Sequence, residues 1–483
     1  MESLKQKTIS GILWSSTENF ISQGIALVIG IVLARLLTPR EFGLIGMITI
    51  FIAISETFIR SGFSEALIRK KDCKPTDYST VFFFNLAAGI VFFILLLVLA
   101  PFISNFFKEP ELKSLVRVLS LVLIIDSLTI IQRTILTKRM DFKLLTRISV
   151  ISSTGSGVIA ITLAYKGFGV WSLAANTICR QGIFSLLLWL WNKWRPIIVF
   201  NKTSFKELFG FGSKLLLSGL IDTVYRNIYY LIIGKYFSST ELGYYTRANY
   251  FSSFPSQNIN MVMNRVTYPI LSEIQDEHNL LREGYRRLIR STMLVTFILM
   301  LGLASVAEPM VITLIGEKWR PSIIYLQLLC FAGMLYPLQA LNLNILKVKG
   351  RSDLFLKLEL IKKAFVVPVI VLGILYGMKV MILGIIVNSF VAYYLNSYWS
   401  GKFINYSIRD QIKDLYPSFL LASGMAIVVY LTGYYLEKAF LVELIIQVTV
   451  GAILVFLLCE LLKMPDYIYI KQIVLEKLNR RRT

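Results

Sequence analysis

The sequence predicts an all-α polytopic membrane protein that crosses the bilayer about fourteen times. Hydrophobic residues make up 55% of its 483 residues and charged residues only 17%, whereas soluble proteins are about one-quarter charged. Apolar runs of roughly 20 residues, the length that crosses a bilayer, recur along the whole chain. Because lipid offers the backbone no hydrogen bonds, uninterrupted runs of this length are expected to be helices.

The fourteen predicted spans follow one another with short loops between them. They lie at 11–36, 42–60, 81–104, 115–137, 146–165, 168–191, 211–233, 243–270, 288–307, 322–346, 354–376, 379–400, 417–435 and 441–462. The first run lacks a small-residue cleavage site and is predicted to be a retained span rather than a signal peptide. The tails and every second loop hold roughly three times as many Lys and Arg residues as the other loops, which places both termini in the cytoplasm.

A stretch of ten residues occurs twice, 200 positions apart. Residues 34–43 read ARLLTPREFG and residues 234–243 read GKYFSSTELG, sharing a small residue, a base, a hydroxyl residue, a Glu and a Gly. Both copies fall in predicted outward turns, before spans 2 and 8. Six spans separate them, so the halves are predicted to be parallel repeats with a site between them. Gly43 and Gly243 are expected to permit tight turns, which could be gate or hinge elements or plain structural turns.

The repeat divides the chain into five predicted parts. These are an N-lobe at 1–191 with spans 1–6, a cytoplasmic linker at 192–210, a C-lobe at 211–400 with spans 7–12, two added spans at 401–462, and a basic cytoplasmic tail at 463–483. Since two lobes already enclose a site, a monomer is expected.

Several classes of function are disfavoured by composition. The four cysteines are scattered and the single histidine, His278, sits in a charged loop, so a disulfide framework or a metal site is not expected. The chain has no phosphate-binding Gly-rich loop and no Ser/His/Asp set. The net charge of +22 is better explained by cytoplasmic loops facing anionic lipid than by nucleic acid. Neither an enzyme nor a bound cofactor is predicted.

Charged residues inside the predicted spans mark the candidate site, because such residues usually face a cavity or a partner. They are Glu18, Glu56, Asp126, Arg133, Arg180, Asp222, Arg226, Arg247 and Arg265. In span 8, Arg247, Asn258 and Arg265 share one helical face, as expected for a helix lining a water-filled path. The alternative is that the two arginines snorkel to headgroups.

The acidic residues leave further alternatives open. Asp222 and Arg226 are four apart and could form an ion pair that merely packs two helices. Asp126 and Arg133 are too far apart along one helix to touch, so each is expected to have another partner, which could be a ligand. Glu18 could hold a proton or sodium ion, or pair with an arginine across a cavity. Arginine forks bind phosphate oxygens bidentately and stay charged, so an arginine-lined cavity suits phosphate.

Several runs of residues resemble one known family. They are residues 33–39 with 41–43, residues 61–68, residues 167–171, residues 233–235 with 242–244, residues 316–319, and residues 344–346 with 350–353. In this order they resemble the oligosaccharide flippases of the polysaccharide transporter family, within the multidrug/oligosaccharidyl-lipid/polysaccharide exporter superfamily. The resemblance runs from about residue 8 to about residue 420.

The resemblance implies two six-helix lobes in a V, two extra helices, and alternating access. It implies movement of an undecaprenyl-diphosphate-linked oligosaccharide from the inner to the outer leaflet of a bacterial inner membrane. We expect the diphosphate and glycan to be bound by Arg60, Arg133, Arg226, Arg247, Asn258 and Arg265. Glu18, Asp126 and Asp222 are the candidates for proton or sodium coupling or for gating.

The expected partners are the lipid-linked oligosaccharide, membrane lipid and a glycan polymerase or export machinery, and no nucleic acid. An ion-coupled multidrug antiporter of the same superfamily is the alternative, which the excess of arginines over carboxylates in the spans disfavours. A membrane-bound glycan polymerase or ligase would usually carry a large outward loop, which the sequence lacks. A non-transporting scaffold would not need intramembrane charges.

Overall fold

The computed structural model describes residues 21–436, 439–469 and 471–472. These residues form helices and short connections, without β-strands. The helices are α1 (Ile21–Leu36), α2 (Pro39–Arg60), α3 (Phe63–Arg69), α4 (Pro75–Phe107), α5 (Glu111–Leu119), α6 (Leu121–Lys138), α7 (Phe142–Tyr165), α8 (Val170–Trp191), α9 (Lys202–Tyr236), α10 (Ser239–Glu273), α11 (His278–Ser305), α12 (Ala307–Ile315), α13 (Ser322–Gly333), α14 (Tyr336–Val348), α15 (Ser352–Ala364), α16 (Val366–Tyr376), α17 (Met378–Ile404), α18 (Ile408–Tyr435) and α19 (Phe440–Leu461).

The predicted all-α, multi-pass membrane protein is confirmed. Among the described residues, ten helical segments are long and apolar enough to cross a membrane. The other four predicted spans coincide with α1, α9, α10 and the pair α15–α16. Helices α9 and α10 have 35 residues each and could cross a bilayer by length, but they carry many polar and charged residues. The count of fourteen and the cytoplasmic termini stay predictions.

Three predicted spans consist of two helices each. Span 4 is divided between α5 and α6 at Ser120, span 10 between α13 and α14, and span 11 between α15 and α16. Pro337 and Pro368 lie in the first turns of α14 and α16. A proline removes a backbone donor and crowds the preceding turn, so it favours a helix start at these two breaks.

The chain divides into two compact units, Met1–Gly243 and Tyr244–Thr483. In the first unit the segment before α9 is anchored by an aromatic core in which Phe63, Phe82 and Leu208 pack with Trp194 and Phe205. Helix α9, the predicted first helix of the C-lobe, packs along α2 in this unit. The sequence-based division into lobes at 192–210 stays a prediction about the repeat.

The second unit has its core where the two added spans meet α11. Helix α18 packs along α11 and against α19. Leu294, Leu421 and Cys459 are buried together there, and Met425 is buried in an adjoining cluster. A buried polar group lies nearby, in which Asn342 Oδ1 accepts hydrogen bonds from Ser400 Oγ at 2.5 Å and Gln411 Nε2 at 3.4 Å. Satisfied polar groups of this kind fix how helices pack where apolar contacts alone would not.

Candidate functional site

Both copies of the repeated stretch form helix starts. At the start of α2, Glu41 Oε2 accepts hydrogen bonds from Thr38 N at 2.6 Å and Thr38 Oγ1 at 2.9 Å. At the start of α10, Ser238 Oγ accepts a hydrogen bond from Glu241 N at 3.0 Å. A hydroxyl residue followed three positions later by Glu is the sequence signature of a capped helix start. Capping therefore explains the hydroxyl residue and Glu of the first copy and the hydroxyl residue of the second.

The two repeated glycines lie where α2 and the start of α10 touch. A Cβ atom added to Gly43 would overlap the carbonyl oxygen of Ser239. A Cβ atom added to Gly243 would overlap the carbonyl oxygen of Pro39. The two contacts are related by the 200-residue shift of the repeat. The expectation of glycine-dependent tight turns is corrected: both glycines lie inside helices and permit a close approach of two backbones.

Small residues continue this close packing along the antiparallel pair α2 and α9. A Cβ on Gly234 would lie 2.8 Å from Met47 Cγ, and one on Gly212 would lie 2.5 Å from the carbonyl oxygen of Ser61. Between these points Thr57 Oγ1 and Thr223 Oγ1 are hydrogen-bonded at 2.9 Å. Residues near position 60 and near position 226 therefore belong to two adjoining helices.

Arg60 is the centre of a polar cluster on α2, α6 and α8. Its Nη2 atom lies 3.3 Å from Asp126 Oδ2 and 3.7 Å from Glu56 Oε2. Asp126 Oδ1 accepts hydrogen bonds from Gln181 Nε2 at 2.6 Å and Thr129 Oγ1 at 3.3 Å. The Asp126 side chain is 8% exposed, whereas that of Arg60 is 50% exposed. The expected second partner of Asp126 is thus a protein arginine.

Asp222 and Arg226 form the ion pair that their spacing permits. Arg226 Nε lies 2.7 Å from Asp222 Oδ2 within α9, and the two side chains are 68% and 44% exposed, respectively. Exposed pairs of this kind contribute little to stability. Most of the Arg226 side chain is therefore accessible to another ligand.

Three other predicted site residues have local contacts within their own unit. Arg133 is exposed and its guanidinium carbon lies 6.0 Å from the centre of the Phe184 ring. In the second unit, the Arg247 guanidinium carbon lies 5.7 Å from the centre of the Tyr250 ring. Asn258 Nδ2 donates to the carbonyl oxygen of Phe254 at 2.7 Å.

Two predicted site residues cannot be placed in this way. Glu18 lies outside the described residues, and only the helical backbone of Arg265 is described. Their predicted roles stay predictions.

Sequence reasoning missed two side chains of the Arg60 cluster. Gln181 and Thr129 donate hydrogen bonds to Asp126, but neither is charged, so intramembrane charge does not identify them. Gln181 could have been found as a polar amide in an apolar span, since such groups need a hydrogen-bond partner in the membrane. The contact of Glu56 with Arg60 could have been predicted from the sequence, because Glu56 stands four residues before Arg60 on one helix.

The Arg60 cluster combines one positive group with two carboxylates. Guanidinium groups bind anions, and carboxylates bind protons or cations. Within the described residues, no group of three or more His, Cys, Asp or Glu side chains could hold a metal ion.

Comparisons with known proteins fit this architecture. A family profile described as polysaccharide biosynthesis protein matches residues 32–324. The chain is 29% identical to the teichuronic acid biosynthesis protein TuaB of Bacillus subtilis, over 73% of this chain and 74% of that protein. It is 26% identical to the lipopolysaccharide biosynthesis protein WzxC of Escherichia coli, over 90% of this chain and 89% of that protein.

The fold is shared with a solved transporter. The lipid II flippase MurJ, in an inward closed conformation, matches with a TM-score of 0.75 at 16% identity, over 93% of this chain and 99% of that one. At this identity the match establishes the fold. With the family profile covering more than half of the sequence, the chain belongs to the polysaccharide biosynthesis protein family and has the helical fold of this flippase.

Proposed function

We propose that this protein moves an undecaprenyl-diphosphate-linked oligosaccharide from the cytoplasmic to the outer leaflet of a bacterial inner membrane. The relatives named for teichuronic acid and lipopolysaccharide biosynthesis and the shared flippase fold support this class of substrate. The observation that carries the proposal is the exposure of Arg60 and Arg226. They stand on adjoining helices, Arg60 at the end of predicted span 2 and Arg226 within predicted span 7, and their side chains are 50% and 68% exposed, respectively.

Arg60 and Arg226 would bind the diphosphate by exchanging partners. Each guanidinium now contacts a carboxylate, and phosphate oxygens can replace that carboxylate with the same fork geometry. When Arg60 turns to the diphosphate, Asp126 keeps its hydrogen bonds from Gln181 and Thr129. A proton or sodium ion on Asp126 or Glu56 would then balance the charge. This exchange would couple transport to an ion gradient without any enzymatic step or bound cofactor.

The backbone contacts of Gly43 and Gly243 would act as a gate during alternating access. The contact can separate and re-form as a unit, because it consists of two helix starts meeting at small residues. Arg133, Arg247, Asn258 and Arg265 are proposed to bind the glycan or the diphosphate at other stages, and Glu18 and Asp222 to serve in coupling or gating. The protein would work as a monomer beside a glycan polymerase or export machinery.

The test uses proteoliposomes that hold the purified protein and a fluorescent undecaprenyl-diphosphate oligosaccharide. An impermeant glycan-hydrolysing reagent reports how much glycan reaches the outer face. Arg60→Gln and Arg226→Gln should each slow movement by roughly 10-fold to 100-fold, because a hydrogen bond to a charged group contributes about 1.5–3 kcal/mol. Arg226→Lys should give an intermediate rate, since it keeps the charge and loses the fork.

The matched control is Arg139→Gln, an exposed arginine in a predicted cytoplasmic loop. Its rate should equal that of the unaltered protein. Movement that survives both Arg60→Gln and Arg226→Gln would refute the role of these arginines in binding the diphosphate.

One observation favours the multidrug antiporter as a second candidate. Arg60, Glu56 and Asp126 together carry a formal charge of −1, which suits an organic cation. If no prenyl-linked glycan moves, with or without an ion gradient, while the same liposomes expel an organic cation, the antiporter replaces the flippase.

A further inference from the structure

A cavity of about 380 Å³ lies where three predicted outward loops meet in the first unit. Its volume falls within the ~300–1,000 Å³ typical of small-molecule sites. Its walls come from the starts of α2 and α5 and from the turn between α7 and α8. The first copy of the repeat and the GFGVW sequence of residues 167–171 thus meet at one place, and neither has a role in the diphosphate site.

One wall of the cavity is polar. Arg40 Nη1 lies 3.0 Å from Glu111 Oε1, and Arg40 Nη2 lies 2.7 Å from Glu109 Oε2. Glu41 uses its Oε2 atom to cap α2. Its Oε1 atom is so close to Gly169 that an added Cβ there would overlap it. Gly169 also has a φ of +54°, a conformation that favours glycine, so the turn is shaped to lie against this carboxylate.

The other wall is aromatic. Phe168 and Trp171 line the cavity, and 53% and 39% of their surfaces, respectively, are exposed. Aromatic residues at a membrane interface often serve as anchors at headgroup level. These two differ from simple anchors because they face the same cavity as two carboxylates and an arginine.

The repeat helps to separate a binding role from a packing role. The second copy keeps the capped helix start, with Ser238 and Glu241 in place of Thr38 and Glu41. The corresponding turn in the second half reads YGMKV at residues 376–380, where Gly377 precedes α17 as Gly169 precedes α8. In this alignment Tyr376 takes the place of Phe168, whereas Lys379 takes the place of Trp171. A packing need common to both halves therefore does not explain Trp171.

We propose that this cavity is an outward-face binding site for an uncharged or amino-sugar residue of a glycan. A sugar ring has hydroxyl groups around its edge, which can donate to carboxylates and accept from arginine, and apolar C–H faces, which can pack on aromatic rings. Arg40, Glu41 and Glu111 sum to a formal charge of −1, which disfavours uronic acids and phosphates. The inference rests on the proposed function only in that the transported lipid would supply the glycan.

The test measures binding directly, without transport. The full-length protein in lipid nanodiscs is examined by saturation-transfer NMR with N-acetylglucosamine, maltotriose and glucuronic acid. We expect binding of the first two with a Kd of about 1 mM, typical of a small contact area. Trp171→Ala should weaken this binding about fivefold to tenfold, the scale of a lost aromatic contact, and Trp171→Phe should restore most of it.

The matched control is Trp191→Ala, which removes the same side chain from the opposite end of α8, where it is similarly exposed at 43%. Its Kd should stay within about twofold of the original, as expected for a surface change away from the site. Undecaprenyl diphosphate without sugar, added as a competitor, should leave the signal unchanged.

The outcomes separate this inference from the proposed function. Sugar binding that depends on Trp171 in a protein that moves no lipid would keep the cavity and reject the flippase. Three results would overturn the sugar site even if the lipid moves. They are no sugar signal, an equal loss of sugar binding in Trp171→Ala and Trp191→Ala, and tightest binding of glucuronic acid.

Discussion

Replacing Gly43 by alanine should open the contact between α2 and the start of α10. The added methyl group overlaps the Ser239 carbonyl oxygen and lies only 2.5 Å from the Ser239 carbonyl carbon. Carbon atoms at optimal separation are about 3.5–4.0 Å apart, so the helices must move apart by at least ~1–1.5 Å. Overpacking of this kind costs about 1–3 kcal/mol. Taking about 2 kcal/mol, the closed contact loses roughly 30-fold in population relative to the separated state, at 1.4 kcal/mol per tenfold.

The helix propensity of alanine does not offset this effect. Alanine stabilises a helix by roughly 0.5–1 kcal/mol relative to glycine. Helix α2 is intact whether the contact is closed or separated, so this gain cancels from the equilibrium between them. It appears only in the free energy of unfolding.

Pulsed electron spin resonance can measure the separation. Spin labels are placed at positions 36 and 236, two exposed side chains just before the two helix starts. Cys73 and Cys179 are first replaced by alanine, because they are partly exposed. Gly43→Ala should lengthen and broaden the distance distribution. Gly182→Ala is the control, since no atom lies within 4 Å of its added Cβ. Identical distributions for the two variants would show that the close approach does not hold the helices together.

Two further predictions concern the same unit. Gly62→Ala should lower the free energy of unfolding by about 2–3 kcal/mol, because its φ of +69° costs a side chain about 1 kcal/mol and its Cβ would lie 2.7 Å from the Gly212 carbonyl oxygen. Gly167→Ala is the control, because its φ is +82° and no atom lies within 4 Å of its added Cβ, so it should cost only the backbone strain of about 1 kcal/mol. Equal losses of stability in the two variants, measured by thermal unfolding, would show that the contact of Gly62 with Gly212 adds nothing. Asp126→Asn should tighten binding of a short-chain prenyl diphosphate roughly threefold to tenfold, because Arg60 loses a competing carboxylate. The exposed Asp72→Asn serves as its control in the same titration, and weaker binding by Asp126→Asn would show that the carboxylate assists the diphosphate site.

Much of the helical pattern was readable from hydropathy, and the departures have local causes. Two of the three divided spans could have been predicted from prolines, because Pro337 and Pro368 lie in the first turns of α14 and α16. The start of α9 at Lys202, nine residues before the predicted span, is marked by Asn201, whose Oδ1 accepts hydrogen bonds from Thr203 N and Ser204 N. Hydropathy reports the lipid-crossing part of a helix and is insensitive to such polar extensions.

The candidate site was predictable only where both partners lie on one helix. The four-residue spacing of Asp222 and Arg226 was enough to predict their ion pair. The contact of Arg60 with Asp126 joins residues 66 positions apart, and it depends on how α2 packs against α6. No local periodicity carries that information. The close approach of Gly43 to Ser239 likewise depends on how distant helices pack. The sequence around Gly43 therefore suggested a turn and could not reveal this backbone contact.

The paired glycines also restrict which second-site substitutions could rescue a change at this contact. Gly43 faces the main-chain carbonyl of Ser239, and Gly243 faces that of Pro39. Every amino acid carries this carbonyl, so no mutation at position 39 or 239 can make room for a side chain opposite. The usual rescue of an overpacked contact, a smaller residue on the opposite helix, is therefore closed to both pairs.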